Sequence, residues 1–100
     1  MTWKKNKINV AIQVLPEADG KVKYQLVDQA IQAIEQSGFI YKVCPFETVV
    51  ECSFHELSEL IGSIHNACEA AGTEKMITNL KIQVDFSGDV SIEDKMEKYS

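Results

Sequence analysis

The order in which two periodicities succeed one another restricts the possible folds of this chain more than any other feature. From Lys7 to Leu15 the residues alternate, with Ile8, Val10, Ile12 and Val14 on one side and Asn9, Ala11, Gln13 and Leu15 on the other. That period of two predicts a half-buried strand. Pro16, Asp19 and Gly20 then predict a break and a loop. Tyr24, Val27, Ala30, Ile31 and Ile34 recur at helical spacing, and Gly38 follows as a stop, so a helix is expected over about 22–37. Two stretches rich in β-branched and aromatic residues, 39–43 and 46–52, are split by Pro45 and predict a hairpin. Ser53 and Glu56 form the Ser-x-x-Glu pattern that caps a helix start. Behind them Phe54, Leu57, Leu60, Ile61, Ile64, Cys68 and Ala71 make an apolar stripe that Gly72 ends. Thr78, Leu80, Ile82, Val84 and Phe86 alternate with polar neighbours as a fourth strand, and beyond Gly88 a short acidic turn has Ser91 placed to cap it.

The resulting order, β-α-β-β-α-β, is the split βαβ pattern. Right-handed crossovers then give an α+β, ferredoxin-like fold: a four-stranded antiparallel sheet in the order fourth-first-third-second, with two helices on one face. One domain is expected across residues 1–100, because a second would have too few residues for its own core. Charge narrows the partners. The chain carries a formal −5 and no Arg, and its lysines cluster only at Lys4, Lys5 and Lys7, so a nucleic-acid role is not expected. No stretch approaches the roughly 20 apolar residues that span a bilayer. No apolar run follows the early lysines, so neither a signal peptide nor a membrane partner is expected. Cys44, Cys52 and Cys68 show no CxxC and no compelled pairing, which suits a reducing compartment; a cytoplasmic protein is expected.

The sheet face away from the helices holds the chemistry. Continued alternation places Asn9, Gln13, Leu15, Glu47, Val49, Glu51, Asn79, Lys81, Gln83 and Asp85 there. Amides and a carboxylate on stiff central strands can hydrogen-bond a heterocycle. Solvent demands polar residues on an open sheet face as well, and the same surface could pair subunits. Catalysis is not expected, for no nucleophile stands at a recognised spacing from a base and the glycines occur singly rather than in a phosphate-binding loop. His65 and Cys68 lie three apart with Glu69 close by, a spacing compatible with a metal. Cys68 belongs to the apolar stripe, however, and His55 is out of phase, so no metal site or cofactor is expected. Gly62 inside the second helix predicts close packing on the sheet or a neighbouring subunit, and Trp3 is expected in a flexible terminus.

The stretch QSGFIYKVCPFETVVECSFHELSELIGSIHNACEAAG, followed by TNLKIQV, resembles the thiamine-binding protein family related to the MTH-type and YkoF-type proteins, the UPF0045 group. The similarity runs from NVAIQVLP to SIEDKMEKY, nearly the whole chain, and its most telling piece is PFETVVE, where Thr48 and Glu51 match the family's Thr-x-x-Glu. Family members commonly carry Gly after that Glu. Cys52 stands there in this chain, and its side chain is expected to narrow the pocket mouth or shift the strand end. The resemblance implies binding of thiamine, hydroxymethylpyrimidine or a related pyrimidine without catalysis, in symmetric oligomers, either homodimers or homotetramers. Thiamine would be a ligand, buffered, sensed or delivered, and not a cofactor. Glu51 is the expected partner of the thiazolium charge, Thr48 and Asn79 of the polar groups, with Gln13 a weaker choice. Alternation puts Thr48 and Glu51 on opposite faces, so either a bulge reorients one or only one lines the pocket. The other reading is an oligomeric regulatory or assembly module of the same fold, with ligand binding lost, for which Cys52 is the motive.

Overall fold

The alternating N-terminal segment does form a strand, and it runs further than its punctuation suggests. In the computed structural model, which describes residues 2–99, β1 spans Lys7–Glu17 and continues through Pro16. The residue is tolerated because β1 outruns one neighbour. β3 (Thr48–Ser53) begins opposite Ile12, whereas β4 (Lys75–Gln83) stays paired with β1 as far as Glu17. Backbone bonds at Lys7 and Glu17 point to the β4 side, so Pro16 directs its missing N–H to the side where β3 has already ended.

β2 (Ile40–Val43) pairs with β3, and the sheet order is β2-β3-β1-β4, antiparallel throughout. This is the expected ferredoxin-like arrangement. α1 (Lys23–Gln36) and α2 (Phe54–Ala70) lie side by side over one face. Ile8, Val10 and Ile12 of β1 with Val50 and Cys52 of β3 meet Ala30, Ile34, Leu60, Ile64 and Cys68 in the core.

Helix ends explain where the elements stop. Ser53 Oγ accepts from Glu56 N at 3.2 Å while Glu56 Oε1 accepts from Ser53 N at 2.8 Å, the reciprocal capping box. At the other end Gly72, with φ of 99°, lets Thr73 N reach Cys68 O at 3.0 Å and Gly72 N reach Glu69 O at 3.0 Å, closing a Schellman motif. α1 ends through Ser37, whose hydroxyl donates to Ile34 O and accepts from Phe39 N, before Gly38 turns the chain.

Several expectations are corrected. A Cβ on Gly62 would meet nothing within 4 Å, so this glycine answers no close approach to the sheet. Trp3 is not free: it sits in a 3-10 turn (Trp3–Lys5), edge-on to Phe54 at 5.2 Å and to Phe86 at 5.6 Å. β4 begins three residues earlier than its apolar alternation implies. Its helix-side residues Leu80 and Ile82 remain 39% and 44% exposed because the helices pack over the β1 and β3 half of the sheet. After Gly88 the chain forms α3 (Ile92–Met96), a short helix whose start Ser91 caps through Asp94 N at 3.2 Å.

Candidate ligand-binding face

Register fixes which side chains share the open face. Asn9 stands opposite Glu51 on one side and Gln83 on the other, Ala11 opposite Val49 and Lys81, and Gln13 opposite Asn79. Gln13, Glu51 and Asn79, three of the four expected site residues, therefore lie on one face. Asn79 Nδ2 donates to Gln13 Oε1 at 3.1 Å, so the two amides orient each other across the β1–β4 ladder. Ala11 is the smallest side chain in the middle of the face, between Val49 and Lys81.

Charges on this face are largely settled among themselves. Lys81 Nζ reaches over β1 to Glu47 Oε1 at 3.2 Å, and Lys75 Nζ meets Glu17 Oε2 at 3.6 Å. Glu51 is in no such ion pair among the described residues. Its Oε1 instead accepts from Ile92 N at 2.8 Å, at the start of α3. The second carboxylate oxygen has no partner there. Glu51 thus spends one oxygen on a backbone N–H and leaves the other available.

Thr48 stands apart from the other three. β3 pairs without a bulge from Thr48 to Ser53, so residues 48 and 51 keep opposite faces, and Thr48 is 5% exposed on the helix side. It lines a crevice of roughly 90 Å³ beneath the β2–β3 turn, with Ile31, Ile34, Cys44 and Phe46. Cys52 is wholly buried in the core, in register with Ile8. The expected narrowing of the pocket mouth does not occur, because residue 52 points away from the face that carries Glu51, and the strand end is regular.

A larger groove, roughly 330 Å³, runs between the helices, with Gln29, Gln32 and Gln36 on α1 facing Glu56, Glu59 and Ser63 on α2. Sequence reasoning passed over this glutamine row, although its spacing was legible. On the far side of α2, His65 Nδ1 meets Ile61 O at 2.7 Å and Nε2 meets Thr78 Oγ1 at 2.9 Å. A carbonyl can only accept, so Nδ1 carries a proton and donates it to Ile61 O, while Nε2 and the Thr78 hydroxyl share the second hydrogen bond. Both ring nitrogens are thereby used to tie α2 to β4. Among the described residues no three His, Cys, Asp or Glu side chains are grouped as a metal site would need, and no helix is long and apolar enough to cross a membrane.

Comparison with known proteins decides the family. The family model for the thiamine-binding protein family matches residues 10–100. The chain belongs to that family. A UPF0045 protein of Clostridium perfringens is 32% identical over 91 residues, covering 91% of this chain and 95% of that protein. Among solved structures, a domain of unknown function from Bacillus cereus superposes with a TM-score of 0.89 at 33% identity, covering all of this chain and 96% of that one. A candidate thiamine biosynthesis or salvage protein of Thermotoga maritima superposes at 0.83 with 29% identity, covering 94% of this chain and 99% of the other.

Proposed function

We propose that this member of the family binds thiamine, or its pyrimidine part hydroxymethylpyrimidine, on the open sheet face without transforming it. The observation that carries the reading is Glu51, a carboxylate outside any ion pair among the described residues, on a face that it shares with the amides of Gln13, Asn79 and Gln83. A thiazolium cation complements the carboxylate, and an aminopyrimidine, which both donates and accepts, complements the amides. The 330 Å³ groove between the helices is the weaker candidate, because its Glu56 carboxylate is already spent on its cap. The crevice at Thr48 is far below the roughly 300 Å³ of ordinary small-molecule sites, so Thr48 is given no direct contact.

A flat face encloses little of a ligand. Leu15, Ile40 and Ile77 are exposed on it, and a second copy stacked there, as a homodimer or as half of a homotetramer, would bury them and close the site. We take the whole chain to act as one domain in the cytoplasm, buffering or delivering the vitamin. Calorimetric titration with thiamine tests the reading. Saturable heat and a raised melting temperature are expected, with both reduced at least about tenfold in apparent affinity by Glu51→Ala. No heat and no thermal shift at millimolar thiamine would remove it.

The assembly-module reading has its own support in β4, an edge strand with Leu80 and Ile82 exposed. It requires that Glu51→Ala leave every thiamine response as it was and that Leu80→Ser and Ile82→Ser change the oligomeric state.

A further inference from the structure

Asn9 lies on the open sheet face yet is only 3% exposed. The segment after Gly88 hides it. Lys7 N donates to Asp89 Oδ1 at 2.8 Å, Val90 N to Lys7 O at 2.9 Å, Asn9 Nδ2 to Val90 O at 3.1 Å, and Ile92 N to Glu51 Oε1 at 2.8 Å. These bonds carry the chain from the β4 side of β1, over Asn9, to β3, and they bury Val90 and Ile92. The segment therefore occupies part of the face that carries Glu51.

The fit is incomplete at one atom. Val90 O can only accept, which fixes the Asn9 amide with Nδ2 towards it and leaves Oδ1 buried without a hydrogen-bond partner. A buried acceptor of this kind is uncommon and calls for a donor. Directly across the β1–β3 ladder, Glu51 gives one oxygen to Ile92 N and keeps the other free. Paired residues hold their Cβ atoms about 5 Å apart, so the two unused acceptors belong to one patch.

We propose that Asn9 is a ligand-contacting residue of the thiamine site, its Oδ1 accepting an N–H of the pyrimidine amino group beside Glu51, and that residues 89–92 are a cover that must lift for this contact. The proposal rests on the functional reading above and adds to it a residue and a gate. Four polar bonds and two apolar side chains secure the cover, so it can open without unfolding the sheet. The apparent affinity for ligand is then lowered by the fraction of molecules in which the cover is open.

Amide hydrogen exchange of the full chain with and without thiamine tests the gate, and calorimetry tests Asn9. Saturating thiamine is expected to speed exchange at Val90 and Ile92 about tenfold or more. The doubly substituted Val90→Ser, Ile92→Ser protein, whose cover is loosened from its own side, is expected to bind thiamine about tenfold more tightly, and adding Asn9→Ala is expected to cancel that gain. Binding to the unaltered protein with Val90 and Ile92 as protected as before, or more so, overturns the cover while leaving thiamine binding intact. An unchanged affinity on adding Asn9→Ala overturns the contact. Absence of heat at millimolar thiamine in both the unaltered and the loosened protein overturns this proposal together with the functional reading.

Discussion

Cys52 shows how one residue's direction decides its chemistry. Burial in the core, reinforced by the nearby Glu56 carboxylate and opposed by Lys7, pushes its thiol up to about 11 from an ordinary 9.0. Burial likewise raises Cys68, whereas Cys44 is partly exposed in the turn between β2 and β3. A thiol reagent should therefore modify Cys44 quickly and leave Cys52 and Cys68 until the protein unfolds; fast labelling of two or three thiols in the native state would contradict this. The sign of the pH effect follows. The folded state holds the Cys52 proton more tightly than the unfolded chain, so this contribution is complete below pH 9 and is lost as pH rises through about 11. Two pH units correspond to about 3 kcal/mol, and denaturant titrations at pH 8 and pH 11 should show a loss of that order that Cys52→Ala lessens. The direction of residue 52 was legible, since the alternation that sends Glu51 outward sends its neighbour inward. The burial of Asn9 was not, because what covers it comes from more than eighty residues away.

Among the elements, the helix ends were the most readable and the strand ends the least. Ser53 and Glu56 announce the start of α2 by local chemistry alone, and the reciprocal bonds follow. Ser53→Ala should cost about 1 kcal/mol in a denaturant titration. The Ser53 N–H bond above all, helped by the Ser53 hydroxyl contact and by Lys7 and opposed by partial burial, holds the Glu56 carboxyl below its usual value. Its contribution is thus present above the ordinary carboxylate range and fades as pH falls through the lowered value; Glu56→Gln should flatten that acid limb. Gly62→Ala should stabilise by about 0.5–1 kcal/mol, since the helix gains a better former and the added methyl meets nothing. A loss of stability on that change would mean that a second copy packs against this point of α2. Strand limits depend on which neighbour is present, and that is not local information. Pro16 reads as a break from sequence, yet it is harmless where β3 has ended.

At the scale of the whole molecule, element order was enough to give sheet order, helix placement and the identity of the open face, because handedness and alternation leave few other solutions. It could not reveal that the C-terminal segment returns to β1, nor that Leu80, Ile82 and Phe86 stay exposed beyond the reach of the helices. Those features arise from packing between distant parts of the chain. The candidate site was correspondingly legible in part: Gln13, Glu51 and Asn79 share a face as alternation requires, while Thr48 is held on the other by an unbroken ladder. Thiamine is expected on the open sheet face and not in the groove between the helices. Nuclear magnetic resonance of the isotope-labelled chain, titrated with thiamine, addresses this placement most directly. Saturable shifts of the Asn9, Gln13 and Asn79 side-chain amides and of the Glu51 backbone amide are expected. Shifts confined to Gln29, Gln32 and Glu59 between the helices, or no shifts at millimolar ligand, would contradict it.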